Sequence, residues 1–461
     1  MPGRYKSYSE HKDSGVEWLG SIPNHWDVKK LKFLAYIQPS NVDKKTSTKE
    51  TPVLLCNYTD VYYNETVHAD MDFMKSSATE DQIEKFTLKS GDIIITKDSE
   101  DPNDIAIPTF VPESMPGVVC GYHLSIIRPQ STIYGLYIKR VFECGYARAY
   151  FSTRSNGLTR YGLGTHALAN VFYPTPPEKE AENIANFLDH ETAKIDTLIE
   201  KQQQLIQLLK EKRQAVISHA VTKGLNPNVK LRNSGVLSIG LMPEHWTLKS
   251  LSLASKKLAV GLAMSVTDCY EEEGVPIIRN QNIKEGYFDG GDMLYLNPGF
   301  AEAQASKKVK AGDVVIVRTG SNVGLTCCVP DEYDQCHTFT TLIVTPSDEL
   351  VKEYFTYCMN SAYGKAEVNR LKFGFGKDNL NVGELRAMPT LLPSVDEQKE
   401  IVSYLEQEVA KIELMVKKAY VAIGLMQERR TALISSAVTG KIDVRDWAAP
   451  PANQTDKEVS A

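Results

Sequence analysis

The sequence predicts an α+β protein that consists of two β-rich globular domains, each followed by a long helix, with the two helices packed as an antiparallel coiled coil of pseudo-twofold symmetry. The first observation is an internal repeat, because residues 184–222 return as residues 401–439, 217 positions later. A repeat this long indicates duplication of a whole unit. The other two observations are the heptad pattern and the repeated landmarks described below. The expected boundaries are 1–177 and 225–393 for the domains, 178–224 and 394–440 for the helices, and 441–461 for a disordered tail.

Both copies of the repeated stretch have the heptad pattern of a coiled-coil helix. With position a at Leu188 and Leu405, apolar side chains occupy most a and d positions over several heptads, and neither copy contains proline. At 1.5 Å per residue each helix would be on the order of 60 Å long. Ordinary core helices rarely exceed about 25 residues, so the length favours a coiled coil over two core helices.

Charged residues within the apolar seam predict the direction of the pairing. Parallel helices in register would place each charged group against its own copy. An antiparallel pair centred on Gln202 and Ala419 would instead place acids against bases, which costs less at a partly buried seam. The expected inter-helix pairs join Glu191 to Arg429 and Arg430, and Glu408 to Lys212 and Arg213.

The two globular segments share landmarks as well. Each opens with a related passage, SGVEWLGSIPNHW at 14–26 and SGVLSIGLMPEHW at 234–246. A second pair, GDIIITK at 91–97 and GDVVIVR at 312–318, predicts a turn followed by a β-branched strand that ends in a cation. The tryptophans of the openings, Trp26 and Trp246, are expected in the core, and the alternative is a surface that docks a partner.

The remaining elements follow from short apolar and β-branched runs. We expect helices at 133–151 and 349–371. We expect strands at 53–57, 92–96, 118–119 and 125–128 in the first segment, and at 275–279, 313–318, 326–329 and 340–344 in the second.

The composition describes a globular chain of 461 residues with 42% hydrophobic residues and a formal net charge of −6. It contains no run of 18 apolar residues, and its opening MPGRYKSYSEHKDSG has no apolar segment. We therefore expect no membrane span, no secretion signal and a cytoplasmic location. The acidic balance does not indicate a basic nucleic-acid-binding domain, so any DNA binding must use local basic clusters.

The sequence contains no recognisable catalytic or metal-binding motif. Cys327, Cys328, Cys336 and His337 lack the spacing of metal ligands, and there is no phosphate-binding G-x-x-x-x-G-K-[ST] loop. Residues 297–300, Asn-Pro-Gly-Phe, lack the second proline of the adenine-methyltransferase tetrapeptide and indicate a turn or a helix cap. We therefore expect a chain without enzymatic activity and without a metal.

Taken together, these landmarks resemble the specificity (S) subunit of type I restriction–modification systems. The resemblance covers nearly the whole chain and rests on SGVEWLGSIPNHW, GDIIITK and GDVVIVRTGSNVG, and the helix entries PTPPEKEAENIANFLDHETAKID and LLPSVDEQKEIVSYLEQEVAKIE. It implies two target-recognition domains, each recognising one half of a bipartite, asymmetric DNA sequence, with the helix length setting the gap between the half-sites.

The resemblance also implies partners and cofactors. Two methyltransferase (M) subunits would dock on the repeated parts and bring S-adenosylmethionine for N6-adenine methylation. Restriction (R) subunits would join with ATP and Mg²⁺ to cut unmodified DNA. The chain itself would be a non-catalytic subunit that binds double-stranded DNA and has no cofactor of its own. An adaptor whose coiled coil bridges two partners without recognising bases is the alternative.

Base recognition requires side chains that match groove donors and acceptors, and Arg, Lys, Asn, Gln and Ser at strand ends serve this purpose. A single residue of this kind is more often solvated or bound to phosphate, but clusters at corresponding places favour recognition. The candidates of the first half are Lys97, Asp98, Ser99, Tyr122, His123, Arg154, Ser155, Arg160 and Tyr161. Those of the second half are Arg279, Asn280, Gln281, Arg318, Thr319, Gly320, Ser321, Asn322, Lys372 and Lys377, with Arg279 and Arg318 the strongest. Lys97-Asp98-Ser99 departs from the Arg-Thr-Gly-Ser-Asn turn at 318–322.

Overall fold

The computed structural model describes residues 5–373 and 378–449. Contacts divide the chain into two compact units: unit 1 is made of Met1–Gln202 with Tyr420–Ala461, and unit 2 is made of Gln203–Ala419. Each unit therefore contains one globular segment, the beginning of the long helix that follows it and the end of the other long helix. The units cut across the domain boundaries that the sequence predicts.

Unit 1 is built from short strands and small helices that precede a long helix. Its described strands are β1 (His11–Asp13), β2 (Ser21–Pro23), β3 (Asp27–Lys30), β4 (Ala35–Pro39), β5 (Thr51–Cys56), β6 (Met74–Ala78), β7 (Ile93–Thr96), β8 (Asp98–Ser99), β9 (Pro108–Phe110), β10 (Val118–Cys120), β11 (Leu124–Pro129), β12 (Ser155–Asn156), β13 (Tyr161–Leu163) and β14 (Phe172–Thr175). Its helices are α1 (Tyr58–Tyr62), α2 (Glu80–Phe86), α3 (Tyr134–Glu143), α4 (Gly145–Arg154), α5 (Thr165–Asn170) and α6 (Glu178–Lys223), which ends in unit 2.

Unit 2 follows the same plan. Its described strands are β15 (Leu231–Asn233), β16 (Leu241–Pro243), β17 (Thr247–Ser250), β18 (Ser255–Val260), β19 (Tyr270–Glu271), β20 (Val275–Ile278), β21 (Leu294–Leu296), β22 (Val314–Ile316), β23 (Thr326–Cys328), β24 (His337–Thr338), β25 (Leu342–Pro346) and β26 (Pro389–Leu392). Its helices are α7 (Pro298–Ala303), α8 (Lys352–Asn360), α9 (Ala362–Leu371), α10 (Val382–Arg386) and α11 (Val395–Val438), which ends in unit 1. Short 3₁₀ helices lie at Leu31–Phe33, Pro102–Asp104, Thr267–Cys269, Asn280–Asn282, Ala305–Lys307 and Asp331–Tyr333.

The main sheets of the two units have matching topologies. A four-stranded antiparallel sheet has the order β4-β11-β7-β9 in unit 1 and β18-β25-β22-β23 in unit 2. A second sheet has the order β10-β5-β6 in unit 1 and β19-β21-β20-β24 in unit 2. In this second sheet β5 pairs with β10, and β20 with β24, in parallel. The duplication inferred from the sequence therefore extends to the connectivity of the strands.

The repeated β-branched motif forms the central strand of each unit. Ile93 and Ile95 of β7 pack into one hydrophobic cluster, whereas Ile94 points into another. In unit 2, Val314 and Val315 of β22 are divided between two clusters in the same way. Because successive side chains of a strand point to opposite faces, a strand buried on both faces needs an unbroken apolar run, as these motifs have.

The tryptophans of the repeated openings lie in the cores, as predicted, and attach them to the long helices. Trp26 is fully buried, and its Nε1 donates to Glu180 Oε1 of α6 over 2.9 Å. Trp246 is equally buried, and its Nε1 donates to Glu397 Oε1 of α11 over 3.0 Å. A buried indole N–H requires an acceptor, so an acidic residue in the first turn of each helix fixes the preceding domain to it.

Both long helices contribute apolar side chains to the core of each unit. In unit 1, Ile184 and Leu188 of α6 share a hydrophobic cluster with Leu433 of α11. In unit 2, Ile217 of α6 shares a cluster with Ile401 of α11. The apolar seam predicted from the heptads is thus used partly between the helices and partly against the globular segments.

The ion pairs between α6 and α11 differ from those predicted. In unit 1, Arg430 Nε donates to Asp196 Oδ1 over 3.0 Å. In unit 2, Arg213 Nε lies 3.6 Å from Glu413 Oε1. The acidic partners are five residues C-terminal to those predicted, Glu191 and Glu408, because packing along the whole seam sets the register of two helices and a few charges do not.

The predicted acidic residues have other partners. Tyr5 Oη donates to Glu191 Oε2 over 2.8 Å, and Lys411 Nζ donates to Glu408 Oε1 over 2.7 Å. Among the described residues the predicted pairs are not formed, so the assignment of Glu191 to Arg429 and Arg430, and of Glu408 to Lys212 and Arg213, is wrong.

Two predicted helices are each broken in the middle. The helix expected at 133–151 divides into α3 and α4 at Cys144, and that at 349–371 divides into α8 and α9 at Ser361, both in extended conformation. The break directs the first amide of α4 to Ser435 Oγ and that of α9 to Ser218 Oγ. Each short helix is thereby anchored on a long helix within its unit.

Two other expectations require correction. The strand expected at 340–344 begins only at Leu342, because Thr340 has a φ of +53°. The tail expected to be disordered from residue 441 is ordered over 441–449, where Val444 is buried and the ring of Trp447 packs against Phe187. These apolar side chains complete the core of unit 1 although they lack helical periodicity.

Candidate nucleic-acid interface

In unit 2, the ends of two strands place polar side chains beside one cleft. Arg279 directly follows β20, and Arg318 lies two residues after β22. Asn280 Nδ2 donates to the carbonyl oxygen of Thr319 over 3.3 Å and links the two loops. The cleft has a volume of about 500 Å³ and is lined by Arg279, Asn280, Gln281, Arg318, Thr319, Phe339, Thr340 and Asn379. Five predicted residues therefore come together here.

Each of the two arginines of this cleft is held by a hydrogen bond from one nitrogen of its guanidinium. Arg318 Nη2 donates to Asn381 Oδ1 over 3.0 Å, and Arg279 Nη2 donates to the carbonyl oxygen of Asp292 over 2.5 Å. The Nη1 groups of both have no hydrogen-bond partner among the described residues. Since a guanidinium has five N–H donors, each retains donors for a ligand that brings acceptors.

The other candidates of the second half lie outside this cleft. Ser321 and Asn322 line a separate cleft of about 210 Å³ next to Lys365, so the 318–322 turn does not act as a single cluster. Lys372 Nζ donates to Asp378 Oδ2 over 2.7 Å. Gly320 has a φ of +94°, a left-handed backbone conformation that favours glycine in this turn. The predicted residue Lys377 lies outside the described residues.

In unit 1, Asp98 is the centre of a network built from predicted residues. His123 Nδ1 lies 2.9 Å from Asp98 Oδ2, and Arg160 Nε donates to Asp98 Oδ1 over 2.9 Å. Asp98 and Ser99 form β8, which pairs with Tyr161 and Gly162 of β13. Ser155 lies in β12 on the other side of β13. The carboxylate therefore positions two other candidates.

Lys97 and Tyr122 form a neighbouring pair. Lys97 Nζ lies 4.8 Å from the centroid of the Tyr122 ring, a cation–π distance, and Tyr122 itself is exposed. Arg154 is separate from this group, because its guanidinium packs 3.9 Å above the ring of Tyr150 at the end of α4. The structure thus brings together the predicted residues of unit 1 with the exception of Arg154.

A cleft of unit 1 contains residues that the sequence did not single out. It has a volume of about 510 Å³ and is lined by Tyr58, Thr59, Tyr62, Tyr63, Ser99, Glu100, Asp101, Asp104 and Arg160. The rings of Tyr58 and Tyr62 stack with centroids 5.5 Å apart. Burial and a hydrogen bond to Asp104 raise the pKa of Tyr62. The residues after β5 correspond to Arg279 and Asn280, which follow β20. An alignment of β5 with β20 in the sequence would therefore have identified α1 as a candidate.

The chemistry of metal binding is missing from the described part of the chain. Within residues 5–373 and 378–449, no group of His, Cys, Asp or Glu side chains is arranged to hold a metal. Burial raises the pKa of the Cys327 and Cys336 thiols to about 12, so both are protonated near neutral pH. In the same residues, no helix is long and apolar enough to cross a membrane.

Sequence comparisons find similarity to DNA-specificity proteins. The family model described as the type I restriction modification DNA specificity domain matches residues 258–420. The EcoKI specificity subunit of a type I restriction enzyme from Escherichia coli K12 is 25% identical over 353 residues, which cover 75% of this chain and 72% of that protein. The MjaVIII specificity subunit of Methanocaldococcus jannaschii is 22% identical over 60% of this chain and 63% of that protein.

Solved structures have the same fold. A chain from a study of complex assembly and conformational transition of the type I R-M system matches with a TM-score of 0.65 at 15% identity, over 91% of this chain and 99% of that chain. The HsdS subunit from Thermoanaerobacter tengcongensis matches with a TM-score of 0.54 at 14% identity, over 91% of this chain and 98% of that chain. The mixed helix-and-sheet architecture with long helices is therefore shared.

Proposed function

We propose that the chain is a specificity subunit of a type I restriction–modification system and that it recognises a bipartite, asymmetric DNA target, one half-site with each unit. Members of this family are non-catalytic and determine the DNA target. On this proposal the chemistry comes from partners: M subunits use S-adenosylmethionine for N6-adenine methylation, and R subunits use ATP and Mg²⁺ for cleavage. The complex would act in the cytoplasm.

The strongest support for two separate recognition surfaces is the position of one cation in each unit. The same strand of the same sheet, β7 in unit 1 and β22 in unit 2, is followed by a cation next to a polar network, Lys97 and Arg318 respectively. The residues that follow these cations differ between the units, Asp98 and Ser99 in unit 1 and Thr319 and Gly320 in unit 2. Equal scaffolds with unequal contact residues are what an asymmetric target requires, because its two half-sites differ in sequence.

Two ion pairs support an antiparallel coiled coil as the spacer between half-sites. From Asp196 to Arg213, α6 advances by 17 residues, and the partners of these residues on α11 go back by 17, from Arg430 to Glu413. This reversal is what antiparallel helices require, and 17 residues correspond to about 25 Å. A stiff spacer of this kind holds two recognition surfaces at fixed distance and phase better than a flexible linker does.

We also propose that two M subunits dock on equivalent surfaces. Repeated surfaces can bind two identical partners in the same manner. Trp26 and Trp246 are buried and so are not available for this contact. Leu208 and Leu425, 217 positions apart on α6 and α11, are both about 60% exposed, so equivalent apolar side chains of the two repeats are accessible to a partner.

The proposal is tested by mapping methylated adenines in DNA modified by the chain together with its M subunit. The native complex should methylate a motif with two specified half-sites and an unspecified gap. Arg318→Ala should relax one half-site only, with a loss of about 1–3 kcal/mol if the contact to a base is bidentate. Lys97→Ala should affect only the other half-site.

Lys307→Ala is a matched control, because it removes an exposed cation of unit 2 outside the cleft. Equal sequence-specific methylation by the M subunit alone would exclude a specificity role. If Arg318→Ala weakened both half-sites equally, the two units would not act as separate recognition surfaces, and an adaptor that only bridges partners would explain the chain better.

A further inference from the structure

The two clefts occupy corresponding places but have opposite charge. The cleft of unit 2 follows β20 and β22, and the cleft of unit 1 follows β5 and β7, which hold the same positions in matching sheets. Two arginines and no carboxylate line the first of these, whereas three carboxylates and one arginine line the second. Phosphate attraction alone cannot explain this difference, because both half-sites carry the same backbone charge.

The cleft of unit 2 presents hydrogen-bond donors. Arg318 donates only one N–H of Nη2, to Asn381, so its Nη1 group and the second N–H of Nη2 form a planar fork for an acceptor pair. Arg279 uses Nη2 for the carbonyl and carboxylate oxygens of Asp292, and its Nη1 group remains as a further donor. In the major groove, guanine offers such a pair in O6 and N7, and arginine is its most frequent partner. Asn280 is already used to bind Thr319, so the arginines are the principal donors of this cleft.

The cleft of unit 1 presents an acceptor. Of the three carboxylates that line it, Asp101 caps a short helix through the amide of Asn103, and Asp104 accepts a hydrogen bond from Tyr62. Glu100 lines the cleft, is exposed and has no partner within the described residues. A free carboxylate near DNA is repelled by phosphates unless it accepts a hydrogen bond from an exocyclic amino group of a base.

We infer that the two units select base pairs by opposite chemistry: unit 2 binds the acceptor edge of a guanine through Arg279 and Arg318, and unit 1 binds an exocyclic amino group through Glu100. This inference rests on the proposed function and specifies the ligand of each cleft. The amino group is N4 of cytosine or N6 of adenine, which share the donor chemistry. The stacked Tyr58 and Tyr62 form the apolar wall beside this acceptor.

Base analogues test the inference with the unaltered chain in complex with its M subunit. Once the target motif is mapped, binding is measured on duplexes with single analogues. In the half-site that Arg318→Ala relaxes, 7-deazaguanine, which lacks N7, should weaken binding by about fivefold or more. In the other half-site 7-deazaguanine should change binding less than twofold. There, removal of an amino group should weaken binding, with zebularine reporting on cytosine and nebularine on adenine.

Variants supply the second measurement. Arg318→Lys keeps the charge but loses the fork, so it should lose discrimination of guanine from 7-deazaguanine. Glu100→Gln should reduce the effect of amino-group removal, whereas Glu113→Gln, an exposed residue of unit 1 that does not line the cleft, should not. The inference would be overturned if the half-site bound by unit 2 were insensitive to 7-deazaguanine, or if the half-site bound by unit 1 were insensitive to removal of an amino group. The mapped motif would still stand in either case. A complex that methylates no defined motif would overturn the proposed function itself.

Discussion

Arg430 of α11 and Asp196 of α6, separated by 234 positions in the chain, form an ion pair with Nε and Oδ1 3.0 Å apart. The same guanidinium also donates from Nη2 to Glu65 of the globular segment over 2.6 Å. One side chain thus joins both long helices and the domain of unit 1. In unit 2, Arg213 corresponds to Arg430 and faces Glu413 and Glu285 at 3.6 and 3.4 Å.

Loss of this junction should destabilise unit 1. Arg430→Ala removes the guanidinium from Asp196 and one of three cationic partners from Glu65, and since both acids are about half exposed, we expect a loss of about 1 kcal/mol in the free energy of unfolding. Chemical denaturation of the full chain measures this. Arg429→Ala is the control of equal charge, and an equal loss in both variants would argue against a specific role of Arg430.

The pH dependence of stability should report on Glu65. Burial by itself would raise the pKa of this carboxyl, but Lys139, Arg140 and Arg430 outweigh burial and lower the pKa to about 2 from its ordinary 4.5. A carboxyl whose pKa is lower in the folded state than in the unfolded state stabilises the fold at pH values above the unfolded-state pKa. This stabilisation is lost as the pH falls through the folded-state pKa. The difference in Tm between the native chain and Glu65→Gln should therefore be constant above pH 4.5 and shrink towards pH 2. A difference that grew on acidification would contradict the assignment.

The two carboxylates that attach the domains to the helices should differ in importance. Glu180 accepts hydrogen bonds from Trp26 and Tyr8 in a buried site, so Glu180→Ala leaves buried donors unpaired and should cost about 3 kcal/mol. Glu397 accepts from Trp246 and is one-quarter exposed. Glu397→Ala should therefore cost less in the same denaturation experiment, and the reverse order would show that these bonds do not limit stability.

Helix length should determine the gap between half-sites if the coiled coil is the spacer. One additional heptad between Asp196 and Arg213, with another between Glu413 and Arg430, lengthens each helix by about 10 Å. Mapping of methylated adenines should then give a gap longer by about three base pairs, at 3.4 Å per pair, with unchanged half-sites. A heptad added to only one helix breaks the pairing and serves as the control. An unchanged gap with both insertions would exclude the spacer role.

Patterns between neighbouring residues were sufficient for the repeated elements. The apolar runs of GDIIITK and GDVVIVR predict β7 and β22, since a strand buried on both faces needs such a run whatever covers it. The heptads predict α6 and α11, because a helix that buries one stripe of side chains needs apolar residues at this spacing. The pairing of Glu191 with Arg430 failed, because the register of two helices depends on every side chain in the seam and not on a few charges.

The sequence by itself determined that this protein is a duplicated α+β chain with two domains and two long helices, because these features depend on periodicities that each segment carries alone. Only the tertiary structure decided that Arg430 pairs with Asp196, that Ser321 and Arg318 line different clefts, and that Glu100 and Tyr58 line one cleft. Such contacts join side chains from distant elements. Their geometry follows from packing, which no local pattern contains.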